Sequence, residues 1–274
     1  MQIEKVEFYY FSGTGNTIIL VEKMVETFKK YGVQVQLRPI EKSDPETINL
    51  QHTLGLAFPV AGLSTYPLVW EFIESLPITD GTPVFMLDTL AGYSGGIVGP
   101  LHNKLKKKGY EPIGACEIIM PLNIFFIQSD ETRSKLIEEG LKKADKYAKA
   151  IINDEANWGS FPVLPTFLCN MSRFLMRSWE WKSQQKLLGF QVKKSKCNQC
   201  GICSQICPLN NIEMKEYPIY KCKCQFCMRC VSLCPQKAIN CKVTYKGKTH
   251  QAVTAKKFIT PDKSSIKDEI KAKP

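Results

Sequence analysis

Eight of the twelve cysteines fall into two runs of one pattern, Cys197-x2-Cys200-x2-Cys203-x3-Cys207-Pro208 and Cys224-x2-Cys227-x2-Cys230-x3-Cys234-Pro235. Three thiolates at every third position can wrap a loop around one face of a [4Fe–4S] cubane, whose fourth iron needs a cysteine from further away. Zinc also takes Cys-x2-Cys pairs, but it rarely calls for a third cysteine at the same spacing and has no use for a duplicated run ending before proline. The two runs amount to an internal repeat, as a pseudo-symmetric module with two clusters requires. Cys222 stands two residues before Cys224 and could swap into the set, although the three-residue spacing favours Cys224. Cys116, Cys169 and Cys241 also lie outside the runs, and none of the four receives a role.

In the bacterial two-cluster arrangement the last cysteine of each run serves the cluster of the other run. Applied here, Cys197, Cys200 and Cys203 with Cys234 hold one cluster, and Cys224, Cys227 and Cys230 with Cys207 hold the other.

A second chemical feature stands near the N-terminus, Ser12-Gly13-Thr14-Gly15-Asn16-Thr17. Glycines let backbone approach an anion, hydroxyls and amide donate hydrogen bonds, and a following helix adds its dipole. The loop lacks the Gly-x4-Gly-Lys-Ser/Thr of nucleoside triphosphatases, and Ile18 stands where a dinucleotide loop needs its third glycine. A cofactor with one terminal phosphate remains. The same turn could also cap a helix with no ligand at all.

The elements that must position these groups are legible from periodicity. Apolar or alternating stretches over 3–11, 33–40, 52–60, 82–90 and 111–120 predict five strands. Helical patterns over 18–30, 67–76, 97–110 and 130–153, the last with Asp130 as N-cap, alternate with them. Strands alternating with helices predict a parallel α/β sheet with helices on both faces and a ligand crevice at the carboxyl ends of the strands. The loops at 12–17, 59–66 and 89–96 occupy those ends. Pro162 and Pro165 interrupt the chain before a helical pattern over 171–188, in which Met171, Phe174, Leu175 and Trp179 share one side. That helix either packs between domains or offers a face to a partner or a membrane surface.

The chain resembles flavodoxin over residues 1 to 155, on the Ser/Thr-rich phosphate loop directly after the first strand. The resemblance implies FMN, with its phosphate on Ser12, Gly13, Thr14, Gly15, Asn16 and Thr17 and its ring bordered by Pro59, Gly62, Tyr66, Thr89, Gly92 and Tyr93. Tyr93 is the stacking candidate. Many flavodoxins carry an aromatic residue in the first ring loop, whereas this one is PVAGLST, a departure that leaves one flavin face open to a second domain. The whole chain is similar to flavodoxin–ferredoxin fusion proteins. This divides it into an FMN-binding domain at 1–155, a helical connector at 156–190, a small α+β two-cluster domain at 191–245 and a basic tail at 246–274.

The net charge of +11 is unevenly spread. Residues 1 to 190 hold 20 Lys+Arg against 21 Asp+Glu, and residues 191 to 274 hold 17 against 5. A basic tail suggests nucleic acid or an anionic surface. Two cubanes at roughly −2 each would offset part of it, so no nucleic acid is expected. No apolar stretch is long enough to span a bilayer, although peripheral contact stays open. MQIEKVEFYY reads as a strand and not a secretory signal, and cysteine-rich metal sites suit a reducing, cytoplasmic setting.

These features predict an electron-transfer protein that passes electrons between FMN, two clusters and a protein redox partner, and the basic tail would suit an acidic one. A reductase of a small oxidant such as a quinone or nitro compound is a second reading, and a redox-sensing docking module a third. His52, His102 and His250 are scattered and are expected to be structural or exposed.

Overall fold

The computed structural model describes residues 3–93, 96–160, 163–178, 189–244 and 248–259. It divides into two compact units, one of Met1–Ser12, Thr17–Met120 and Arg133–Arg177, the other of Gly13–Asn16, Pro121–Thr132 and Ser178–Pro274.

The first unit is built on β1 (Lys5–Tyr10), β2 (Gln34–Pro39), β3 (Thr53–Pro59), β4 (Pro83–Leu90) and β5 (Glu111–Ile119). All four pairings are parallel and the order is β2-β1-β3-β4-β5. This is the doubly wound order of the flavodoxin-like fold. Successive strand residues point to opposite faces, so a run buried without a break has both faces covered. Five consecutive residues of β1, six of β3 and seven of β4 are buried in this way, whereas the edge strands β2 and β5 are only partly covered.

Aromatic contacts show what covers each face. On one side Phe8 meets Phe85 edge-on at 5.1 Å, and Phe85 in turn meets Phe28 of α1 (Asn16–Lys30) and Tyr147 of α4 (Asp130–Ile152). On the other side Tyr9 packs at 5.1 Å on Phe72 of α2 (Pro67–Ser75). Each such pair adds ~1 kcal/mol beyond its buried area. Gly55 of β3 leaves room for Phe8 and Phe85, because a Cβ there would stand 2.6 Å from both rings.

Two helix boundaries differ from the sequence expectation. Asp130 is the first residue of α4 and not its cap: the hydroxyl of Ser129 accepts the N–H of Thr132 at 3.2 Å. Helix α5 (Val163–Ser178) starts earlier than the proline-broken pattern suggested and carries Pro165 in its first turn. Proline is tolerated there because first-turn N–H groups have no intrahelical acceptor. The rest of the expected helix, 179–188 with Trp179, lies outside the described residues. Helix α3 (Val98–Lys107) completes the unit, with the Val98 carbonyl accepting the indole N–H of Trp158 at 3.0 Å.

The second unit has little regular structure. Its elements are two antiparallel strand pairs, β6 (Gln191–Val192) with β9 (Ile239–Asn240) and β7 (Ile212–Met214) with β8 (Pro218–Tyr220), and the single-turn helices α6 (Ile202–Gln205), α7 (Arg229–Ser232) and α8 (Lys256–Ile259). One small core gathers Ile212, Met228, Cys230, Val231, Ile239 and Cys241. A second joins Ile206, Leu233 and Phe258, so the basic tail contributes a core residue. The Arg229 guanidinium lies 4.2 Å over the Phe258 ring and donates to the Ile206 carbonyl, which satisfies a charge that is otherwise buried. The tail residues 260–274 lie outside the described residues.

Candidate functional site

Within the second unit the two cysteine runs adopt the same backbone. Residues 27 apart in sequence share unusual conformations: Gln199 and Phe226, Gly201 and Met228, and Asn210 and Lys237 all have positive φ. Each run turns through a left-handed residue between its cysteines and then enters one helical turn, α6 or α7. The left-handed region costs a non-glycine residue of order 1 kcal/mol. Five of these six residues are not glycine, so the turn geometry overrides local preference in both halves.

The last cysteines repeat as well. The Asn211 N–H reaches the Cys207 sulfur at 3.3 Å, and the Ala238 N–H reaches the Cys234 sulfur at 3.4 Å. Donors aimed at sulfur favour the thiolate and tune the potential of a metal that it holds.

The runs cross. Cys234 lines one cavity with Cys197, Cys200 and Cys203, and Pro218, Met214 and Ile239 form its apolar wall. Burial pushes the Cys203 thiol up to about 11, with Cys234, Cys200 and Cys197 close enough to add to the rise. In the other set burial pushes the Cys224 thiol up to about 12, with Cys227 and Cys207 adding to it, and the Cys230 thiol well above its ordinary value. Thiols so desolvated become thiolates at neutral pH only beside a strong positive charge, which iron would supply. The donor sets therefore fit two four-thiolate groups. Among the described residues no three His, Cys, Asp or Glu side chains converge on a single metal ion.

Cys200 is exposed, whereas Cys230 is buried. Of the cysteines outside the runs, Cys222 is exposed, while Cys116, Cys169 and Cys241 are buried.

The phosphate-type loop is held at both ends within the first unit. The Ser12 hydroxyl accepts the Ile18 N–H at 3.4 Å, and the hydroxyls of Thr17 and Thr89 are 2.9 Å apart. Its middle, Gly13–Asn16, belongs to the second unit. There a Cβ on Gly13 would overlap the Cys227 carbonyl, and a Cβ on Gly15, whose φ is +108°, would stand 2.8 Å from the Val253 nitrogen. The Ala252 N–H donates to the Thr14 carbonyl at 2.9 Å. The Asn16 amide donates to the Pro121 carbonyl at 2.8 Å, and its oxygen lies 2.8 Å from His250 Nε2.

Of the expected ring residues, Tyr66 is buried edge-on against Phe11 at 5.2 Å, and the Pro59 carbonyl accepts the Thr65 hydroxyl at 2.9 Å. Tyr93 is 57% exposed, and among the described residues nothing lies within 4 Å of a Cβ built on Gly92. Sequence reasoning missed what lies over the 59–66 loop. In the first unit α5 sits on it: Ser172 donates to the Gly62 carbonyl, Cys169 approaches the Ser64 hydroxyl at 3.5 Å, and Arg173 pairs with Glu74 over the Trp70 ring. The apolar side of α5 foreseen from its spacing, with Met171, Phe174 and Leu175, is exposed.

Comparison with known families places a 4Fe–4S binding domain at residues 190–213, which spans the first cysteine run. Among solved structures the chain is similar to Flavodoxin 2 from Bacillus cereus, at 18% identity over 54% of this chain and 98% of that one, with a TM-score of 0.44. It is similar to a Streptococcus pneumoniae flavodoxin at 15% identity, over 52% and 98%, with a TM-score of 0.39. A Megasphaera elsdenii flavodoxin aligns at 22% identity, over 52% and 98%, with a TM-score of 0.38. A comparison with curated proteins finds no match. The 4Fe–4S match and the doubly wound order of the sheet fit a flavodoxin–ferredoxin fusion. Among the described residues no helix is long and apolar enough to cross a membrane.

Proposed function

We propose that this chain is an electron-transfer iron–sulfur flavoprotein that carries FMN and two [4Fe–4S] clusters and serves a protein redox partner. The observation that carries the reading is the crossed repeat, in which Cys234 shares a cavity with Cys197, Cys200 and Cys203 while the same backbone recurs 27 residues on. When bound, FMN exchanges electrons in pairs or singly and each cubane passes one at a time, so the combination converts between the two.

The chain's own residues supply holding, tuning and access. Cys197, Cys200, Cys203 and Cys234 form one ligand set and Cys224, Cys227, Cys230 and Cys207 the other, with the N–H groups of Asn211 and Ala238 steadying the two crossing sulfurs. The loop Ser12–Thr17 offers backbone N–H groups and hydroxyls to a phosphate at the start of α1. Thr89 ties to that loop through Thr17, and Tyr93 is free to lie on a ring.

Access favours the first run. Cys200 is exposed, and Lys193, Lys194 and Lys196 are exposed in the turn before it, a basic rim suited to an acidic partner in a reducing, cytoplasmic setting. The decisive test is anaerobic purification of the full chain with iron, sulfide and flavin analysis and electron paramagnetic resonance after reduction. The reading expects about eight irons and one FMN per chain. Zinc in their place, or no flavin retained after reconstitution, would remove the corresponding half.

A further inference from the structure

We infer that His250 is a positioning residue for the phosphate-binding loop, and that the segment following the cluster module, 250–253, shapes that loop for a phosphate monoester. The inference rests on the FMN reading above.

His250 is 3% exposed. Its Nε2 lies 2.8 Å from Asn16 Oδ1, while Asn16 Nδ2 donates to the Pro121 carbonyl. An amide oxygen only accepts, so Nε2 carries the proton and the ring is the donor. Both ends of the Asn16 amide are thereby committed to protein groups. Held at both ends, the Asn16 amide acts as a strut at the head of α1.

Two residues further on the same segment acts on the backbone. The Ala252 N–H holds the Thr14 carbonyl, and no peptide among the described residues is cis. In a trans peptide the carbonyl and the next N–H point in opposite directions, so this bond turns the Gly15 N–H away from the tail. Val253 then packs against Gly15, where no side chain fits. Three successive contacts from one strap thus set the loop's side chain, peptide plane and backbone path. A residue more than 230 positions away in sequence makes the first of them.

The consequence is selective. Contacts that shape the phosphate loop should matter for FMN and not for riboflavin, which shares the ring and lacks the phosphate. The experiment measures dissociation constants of both flavins by fluorescence titration on apo-flavin full chain carrying its clusters, as wild type, His250→Ala, His250→Gln and Ala252→Pro. His250→Ala is expected to weaken FMN about 5- to 10-fold, the worth of one buried hydrogen bond, and to leave riboflavin unchanged. His250→Gln keeps an N–H donor and should recover most of the loss. Ala252→Pro removes the donor to Thr14 and should reproduce the selective loss with His250 intact. An unchanged ratio of FMN to riboflavin affinity in His250→Ala overturns the inference, whether both affinities fall together or neither moves. If that variant does not fold, an unchanged ratio in Ala252→Pro overturns it equally. A wild type that binds neither flavin, or does not prefer FMN, defeats the FMN reading itself.

Discussion

Replacing Gly13 by alanine places a methyl group against the carbonyl oxygen of Cys227, inside the 3.0 Å that real Cβ atoms do not cross. The obstacle is backbone on both sides, so no rotamer change can relieve it. Gly13 has an ordinary negative φ, which removes backbone strain as a competing cause. The overlap must be relieved by moving the loop or the turn that carries Cys227, at the ~1–3 kcal/mol typical of overpacking. Because both belong to the second unit, the cost should appear in the stability of the cluster-bearing part and not only in flavin affinity. At ~2–4 °C per kcal/mol the midpoint of thermal unfolding should fall by ~2–12 °C. Release of iron to a chelator should quicken by ~5- to 150-fold if it follows local opening of that unit. Gly92→Ala is the control, since nothing among the described residues lies within 4 Å of a Cβ there, and it should leave both readouts unchanged. If Gly13→Ala melts and releases iron like wild type and loses only FMN affinity, the glycine serves the anion alone and the Cys227 contact contributes nothing.

Cys234→Ser should lower iron from about eight to about four per chain and give the reduced-state resonance of Cys197→Ser; a match to Cys224→Ser would reverse the crossing of the ligands. Asp88 is buried, neither carboxyl oxygen has a hydrogen-bond partner among the described residues, and burial, helped by Glu117, holds its pKa well above the carboxylate range. The folded chain therefore keeps a proton that the unfolded chain gives up above pH ~3.9. Stability falls as pH rises past that value, by at most ~1.4 kcal/mol per pH unit. Asp88→Asn should remove this slope and be the more stable form at pH 7, with an advantage that shrinks towards pH 5; parallel urea midpoints across that range would refute it. Arg173→Ala removes the guanidinium 4.1 Å over Trp70 and the pair with Glu74, and should loosen α5 by ~1–2 kcal/mol, read as faster proteolysis within 163–178. Unchanged cleavage would mean that the tie holds nothing.

Much of this was legible in the chain because it is local. The five strands declare themselves by apolar runs in the middle of the sheet and by looser or alternating patterns at its edges, and a doubly wound sheet has few alternatives once strands and helices alternate. Boundaries were less legible where a side chain decides them. The Ser129 hydroxyl caps α4 although Asp130 is an equally good capping type, and Pro165 sits inside α5 because a first turn spares it. The tail 246–274 stands out in the sequence only by its basic charge, yet Phe258 enters a core because Arg229 offers it a cation and Ile206 and Leu233 an apolar floor.

By itself the sequence determined the chemistry of the site: two thiolate runs with their spacing, and a glycine and hydroxyl loop after the first strand. These are properties of neighbours along the chain, so composition and period reveal them. The pairing of Cys234 with the other run was expected from the repeat, and only the tertiary structure decided that Gly13 and Gly15 accommodate Cys227 and Val253, and that His250, one of three scattered histidines, reaches Asn16. Contacts between residues tens to hundreds of positions apart leave no period in the sequence, and a glycine chosen for an approaching backbone looks the same as one chosen for an anion.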